Sequence, residues 1–225
     1  MSRKASSDET ALIGTSKIII FAAVLVGYGS NFWPGRRVAG FGLKALGNPP
    51  YAGFVGAFLP HLLLYSTLMA VVCAALWWLL VQAKLLPPLQ LSNFKTSVLL
   101  GLLGGLGALL LTLAVVAAAF PAGTIHWISP APWKIAGNLF SNFFEEFVFR
   151  GFILVALQRI AGFWSAALLS SAMWAFLHSQ FPLVLQCCIW VIGVGFCVLA
   201  RRAKSLLAPY FAHEVLDLIA DSLIG

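Results

Sequence analysis

Long apolar runs separated by short polar connections dominate the chain. Runs of about 17 to 25 apolar residues are long enough to cross a bilayer as helices. The pattern predicts about seven such helices, with six or eight also compatible, at residues 18–33, 54–81, 98–120, 135–157, 163–181, 182–200 and 206–224. The predicted fold class is therefore all-α, a polytopic transmembrane helical bundle. The third run carries Gly101 and Gly105 in a GxxxG step, which predicts close helix packing because small residues let backbones approach in lipid.

Composition supports a membrane environment. The 225 residues are 61% hydrophobic and only 9% charged, with a mean hydropathy of +0.95, so one soluble core could not bury their apolar surface. The net charge of +7 comes from Lys and Arg clustered between the apolar runs, which fits anionic lipid headgroups and gives no nucleic-acid footprint. The four cysteines lie in apolar runs without CxxC spacing and read as small hydrophobic residues. We expect a multi-pass integral protein of a bacterial cytoplasmic membrane, of undetermined oligomeric state.

The basic residues also predict an orientation. With seven spans and a cytoplasmic N-terminus, one side of the membrane carries nine of them and the other side carries Arg36, Arg37, Lys44 and Lys134. The positive-inside rule then favours the cytoplasm for the first set. That set consists of Arg3, Lys4, Lys17, Lys84, Lys95, Arg159, Arg201, Arg202 and Lys204.

Three charged residues lie near the middle of the fourth apolar run: Glu145, Glu146 and Arg150. An ionisable side chain at that depth costs about 2.5 to 3.5 kcal/mol on insertion scales, so its presence indicates function. Glu146 and Arg150 are four residues apart on one helical face, and because Arg150 keeps its proton they are expected to pair. Glu145 lies about 100° further round the helix and is left as a candidate general base. The alternative is an ion pair with only a structural role.

The last run carries a polar stripe. His213 and Asp217 are spaced i, i+4, and Asp221 continues the stripe. For Asp221 and Glu214 we expect the solvated acidic edge of an amphipathic helix at the membrane interface.

One further histidine, His178, ends the fifth run, whereas His61 and His126 are expected to be packing or loop residues. A lone histidine between helices is most often a satisfied polar residue, but His178 occurs together with the groups above.

One free carboxylate, two histidines and a further acid fit two kinds of chemistry. Residues 213–217 read HExxD, one residue short of the zinc motif HExxH, so zinc at His178, His213 and Asp217 is one alternative. Without metal, a carboxylate and a histidine deprotonate water while a second histidine stabilises an oxyanion.

Three motifs of one known family occur here in the family's order. EExxxR is found at 145–150, an approximation to FxxxH at 174–178, and HxxxN/D at 213–217. The chain resembles, over residues 133–224, the CAAX prenyl protease and bacteriocin-processing family, called CPBP or Abi. The chain is accordingly divided into family-unspecific N-terminal membrane helices at 1–132 and a catalytic core at 133–225.

The resemblance implies a helical bundle around a water-accessible polar cavity, formed here by the four C-terminal helices, and proteolysis within the membrane by a glutamate mechanism. It implies that Glu145 activates water, that His178 holds this water and relays its proton, and that His213 stabilises the oxyanion. Asp217 completes the implied catalytic set, either orienting His213 or remaining protonated. The resemblance implies no cofactor and no metal.

Glu146 and Arg150 match the second acid and the arginine of the motif, and are expected to support the site. The chain departs from the family pattern at two positions. Trp174 stands where the family has Phe, and this exchange is expected to alter only the cavity wall. Asp217 stands where the prenyl proteases carry Asn, and an ionised aspartate cannot donate a hydrogen bond to an oxyanion.

The sequence thus predicts an intramembrane endopeptidase that cleaves a membrane-anchored protein or peptide, whether prenylated, lipidated or transmembrane, with the bilayer as its other partner. One alternative is a transporter or proton relay that uses the same buried polar residues. The others are a zinc-dependent intramembrane protease and a noncatalytic membrane scaffold.

Overall fold

The computed structural model describes residues 7–30, 67–121 and 132–223, and within these ranges it contains helices and no strand. The all-α prediction is confirmed for this part of the chain. A π-helical segment covers Phe147–Ile153 and is continuous with the helices on either side of it. The helices are α1 Ser7–Gly29, α2 Thr67–Gln82, α3 Phe94–Ala119, α4 Pro132–Glu146, α5 Leu154–Ala161, α6 Phe163–Leu177, α7 Leu183–Ala203 and α8 Leu207–Leu223.

The predicted runs coincide with these helices, and the differences lie at their ends. The helix α1 begins at Ser7, eleven residues before the predicted start at 18, because its first turns are polar but compatible with a helix. The fifth run ends early, at Leu177, since a turn closed by the Phe181 N–H and the His178 carbonyl follows. Gly162, at φ +79°, ends the long fourth element. The start of the second run lies outside the described residues.

The outer surface of the described helices is strongly apolar. Two of them, α3 and α7, are long and apolar enough to cross a bilayer, and shorter apolar helices cover Gly14–Gly29, Met69–Gln82 and Phe163–Leu177. Large apolar side chains face outward at high exposure, for example Ile18 at 70%, Leu110 at 67% and Leu183 at 74%. Apolar surface on this scale is typical of contact with lipid. The fold points to a membrane protein, whereas the number of spans stays a prediction.

The predicted glycine packing is found between α3 and α8. A Cβ added at Gly101 would lie 2.5 Å from the Cβ of Phe211 and 2.9 Å from the carbonyl oxygen of Ala208. At Gly105 it would lie 2.7 Å from the carbonyl oxygen of Ala212. The two helices therefore approach with backbone against backbone, as small residues allow.

This packing corrects the expectation of an interfacial last helix. Because α8 packs against α3, α4 and α7, its polar residues are partly enclosed. Glu214 is half-buried and its Oε1 is buried, so it does not lie on a solvated acidic edge. The side chain of Asp221 lies outside the described side chains.

Candidate active site

A cavity of about 420 Å³ lies among α3, α4, α6, α7 and α8. Four side chains singled out from the sequence line it together: Glu145, His178, His213 and Asp217. The cavity was expected to be formed by the four C-terminal helices, but Thr112 and Val116 of α3 also line it. The reason is the glycine-mediated approach of α3 to α8, which brings an N-terminal helix to the wall of the site. His61 and His126 lie outside the described residues.

The π-helical segment positions the charged residues of the fourth element. All seven of its residues are buried, and the N–H of Leu154 donates to the carbonyl of Phe149, an i to i+5 bond. Glu145 and Glu146 end α4 immediately before this segment, and Arg150 lies within it. Such insertions into α-helices occur often at functional sites because they re-aim the side chains that follow.

Glu146 is the centre of a buried charge cluster. Its Oε1 accepts hydrogen bonds from Nη1 of Arg150 at 2.9 Å and from Nδ1 of His213 at 2.9 Å. Nη2 of Arg150 lies 3.5 Å from the carbonyl oxygen of Gly193 on α7. Glu146 and Arg150 are 0% and 2% exposed, so each charge needs the other. The expected pair is present, and the additional link to His213 joins α4 to α8.

Glu145 points away from this pair and is held by a different helix. Nε1 of Trp174 donates a hydrogen bond to its Oε2 at 2.8 Å. Trp174 is 2% exposed, and the guanidinium carbon of Arg150 lies 4.3 Å from the centre of its ring. The expectation that Trp174 alters only the cavity wall is therefore wrong. Its indole N–H is a donor that the family's Phe lacks, and this chemical difference was the signal available in the sequence.

His178 is half-buried at the end of α6, with its ring fixed on both sides. Nδ1 lies 3.0 Å from the carbonyl oxygen of Trp174, and since a carbonyl only accepts, Nδ1 carries the hydrogen. The ring stacks on Phe181 at 6.2 Å and 10° between planes. In the neutral ring, Nε2 is the nitrogen left to accept a hydrogen bond.

His213 is 3% exposed and is oriented by two carboxylates. Besides the bond from Nδ1 to Glu146, its Nε2 lies 3.5 Å from Oδ2 of Asp217. Its ring lies edge-on to Trp174 at 5.2 Å and near Phe196 at 5.7 Å. Asp217 remains 31% exposed at its side chain and lines the cavity. The 3.5 Å between Nε2 of His213 and Oδ2 of Asp217 is too long for a strong hydrogen bond but short enough for the carboxylate to stabilise a charged imidazole.

The zinc alternative requires a set of ligands that the described part of the chain does not bring together. There, no three His, Cys, Asp or Glu side chains are grouped so that they could hold a metal ion. The bonds that these side chains make to one another are those of a charge and hydrogen-bond network.

The fold and the cavity point to a class, that of helical membrane proteins with buried carboxylates and imidazoles converging on a polar cavity. Comparison with known families gives one match, which covers the C-terminal part of the chain. A family model described as type II CAAX prenyl endopeptidase Rce1-like matches residues 127–219, and this match confirms the family resemblance seen in the motifs. The match implies CAAX-type endopeptidase activity in general. No curated protein and no solved structure matches the chain.

Proposed function

We propose that this protein is an intramembrane endopeptidase that hydrolyses a peptide bond of a membrane-anchored substrate through water activated by glutamate and histidine. The observation that carries the proposal is the common cavity of Glu145, His178, His213 and Asp217. The family match favours peptide hydrolysis over a transporter or proton relay built from the same groups.

In the first step, Glu145 removes a proton from a water molecule while the water oxygen bonds to the carbonyl carbon of the scissile peptide. The bond from Trp174 leaves Oε1 of Glu145 as the oxygen for this transfer. Nε2 of His178 accepts a hydrogen bond from the other O–H of the water and so holds it in place, a role supported by the bond that keeps hydrogen on Nδ1. As the tetrahedral intermediate collapses, its oxyanion re-forms the carbonyl and the carbon–nitrogen bond breaks. The proton taken up by Glu145 passes through His178 to the leaving amine, which returns Glu145 to the carboxylate.

Stabilisation of the negative charge on the intermediate is assigned to His213. A histidine whose Nδ1–H is bonded to Glu146 can donate to an oxyanion only through a protonated Nε2, so the working form is the imidazolium. Glu146 at 2.9 Å and Asp217 at 3.5 Å both favour this cation. Asp217 thereby orients and stabilises His213 and need not donate a hydrogen bond itself, which fits an aspartate at a position where the prenyl proteases have Asn.

Glu145→Gln tests the assignment of the base. The purified protein, reconstituted in lipid vesicles, would be assayed with a fluorogenic peptide that carries a prenylated CAAX sequence, and with lipidated and transmembrane peptides. We expect the unaltered protein to cleave one of these probes, and the variant to lose at least a hundredfold in rate, within the range for general-base removal. Chelator treatment should have no effect on cleavage.

Glu214→Gln provides the matched control, since it makes the same change at a half-buried carboxylate that does not line the cavity. Because Glu214 interacts with Asn142 and His213 but does not line the cavity, its variant should lose far less activity than Glu145→Gln. Both variants should keep the elution volume and helical content of the parent. Undiminished cleavage by Glu145→Gln would remove the assigned base. Loss on chelation with recovery on added zinc would move the mechanism to the metal class, and failure to cleave any of the probes would remove the peptidase function.

A further inference from the structure

A second cavity, of about 380 Å³, shares no lining residue with the candidate active site. Its walls are residues 87–90 of the connection between α2 and α3, α5 with part of the π-helical segment before it, the end of α7 and the turn at 204–206, together with Trp77 and Phe163. These segments gather at one end of the bundle. A cavity of this size is sufficient for a small polar group.

The lining of this cavity is strongly positive. Arg159, Arg201 and Lys204 contribute to it, and no Asp or Glu does. None of the three has a carboxylate partner among the described side chains. Arg150 also lines the cavity, but Glu146 balances its charge. Three uncompensated cations around one concave surface make a field that attracts an anion.

Contacts with neighbouring residues hold the Arg201 side chain and the backbone beside Lys204. The guanidinium carbon of Arg201 lies 4.3 Å from the centre of the Phe163 ring, so one face of the group is covered while its N–H donors remain at the edge. Lys204 has a left-handed backbone, φ 51°, in the turn that ends α7. Nδ2 of Asn93 donates to the carbonyl of Ala203 at 3.1 Å. Arg159, Arg201 and Lys204 are all exposed, so their N–H donors can reach the oxygens of a phosphate group in the cavity.

The side chains around this cavity fit a position at a membrane surface. Trp77 and Phe163 line it, and the residues next to them in sequence, Trp78 and Trp164, are 56% and 62% exposed. Exposed tryptophan is typical of the interface between hydrocarbon and headgroups. Leu89, with the rings, gives the cavity an apolar wall beside its charges. The charge count predicts the three cations on the cytoplasmic side, where anionic lipids are concentrated.

From the charge, the apolar wall and the exposed tryptophans we infer that this cavity binds the phosphate group of an anionic membrane lipid. The site does not depend on peptidase activity, because it is separate from the cavity of Glu145. The same phosphate chemistry is offered by free inorganic phosphate, which has no acyl chains to contact the apolar wall.

Binding to the full chain, purified in a neutral detergent, tests the inference. Calorimetric titrations would compare a short-chain phosphatidylglycerol, the matching phosphatidylcholine and inorganic phosphate. We expect saturable binding of phosphatidylglycerol at one site, with at least tenfold weaker binding of the other two, a difference of about 1.4 kcal/mol. Phosphate binding as tight as that of phosphatidylglycerol would overturn the lipid assignment, and equal binding of the two lipids would overturn the anion site.

The double variant Arg159→Gln, Lys204→Gln removes two of the cations, and we expect it to weaken phosphatidylglycerol binding at least tenfold. The matched control is Lys17→Gln, Lys95→Gln, which removes the same charge from exposed lysines that do not line the cavity. The charge-conserving Arg159→Lys, Lys204→Arg should bind within about threefold of the parent, because both exchanges keep a positive charge at each position and the inferred attraction is electrostatic. Equal losses in the cavity and control variants would show a diffuse surface effect and refute the site.

Discussion

Trp174→Phe removes the only hydrogen-bond donor that the described structure places on the carboxylate of Glu145, and keeps an aromatic ring in its place. We expect kcat to fall with KM almost unchanged, because Trp174 acts on the position of the base and not on substrate binding. The ring contacts with Arg150, His178 and His213 are largely kept by phenylalanine.

The magnitude follows from the 2.8 Å bond. A hydrogen bond to a charged group contributes about 1.5 to 3 kcal/mol, which corresponds to roughly 10- to 150-fold in rate. Glu145 is half-buried in a cavity where water can take over the lost bond, so we expect the lower end, about tenfold. The smaller ring should cost on the order of 1 kcal/mol of stability.

Steady-state cleavage of the prenylated peptide in vesicles measures this effect, and Trp190→Phe is its matched control. Nε1 of Trp190 donates to the carbonyl of Leu168 at 3.0 Å, so the same indole bond is lost where α6 meets α7 and outside the cavity lining. The control should keep kcat. An unchanged kcat in Trp174→Phe, or equal losses in both variants, would refute a positioning role for Trp174.

Two further predictions concern stability, measured as thermal or denaturant unfolding in detergent. Gly101→Ala should destabilise the protein by about 1 to 3 kcal/mol because the new Cβ would lie 2.9 Å from the carbonyl oxygen of Ala208. Its control, Gly107→Ala, should be neutral or stabilising because no atom lies within 4 Å of the new Cβ. Equal effects of the two substitutions would contradict the packing argument. Arg150→Met should cost about 3 to 5 kcal/mol because Glu146 loses its buried cation, and Glu146→Gln added to it should restore part of that loss. No recovery in the double variant would show that charge pairing is not the cause.

Local patterns in the chain were sufficient for the secondary structure and for the identity of the polar residues. Apolar runs predicted the described helices to within a few residues at most ends, because lipid demands an unbroken apolar stretch and internal backbone hydrogen bonds. The i, i+4 spacing of Glu146 and Arg150 predicted their pairing because a helix fixes which side chains share a face. The GxxxG step predicted close packing but not its partner.

Contacts between distant segments were decided only by the tertiary structure. The bond from His213 to Glu146 spans 67 residues and the bond from Trp174 to Glu145 spans 29, so neither follows from any helical period. The approach of α3 to α8, which adds Thr112 to the cavity wall, depends on which helices pack together. The sequence by itself determined the helices and the chemical groups available, because these are set by neighbours along the chain. Their convergence on one cavity required the folded bundle, because side-chain distances across helices depend on packing of the whole.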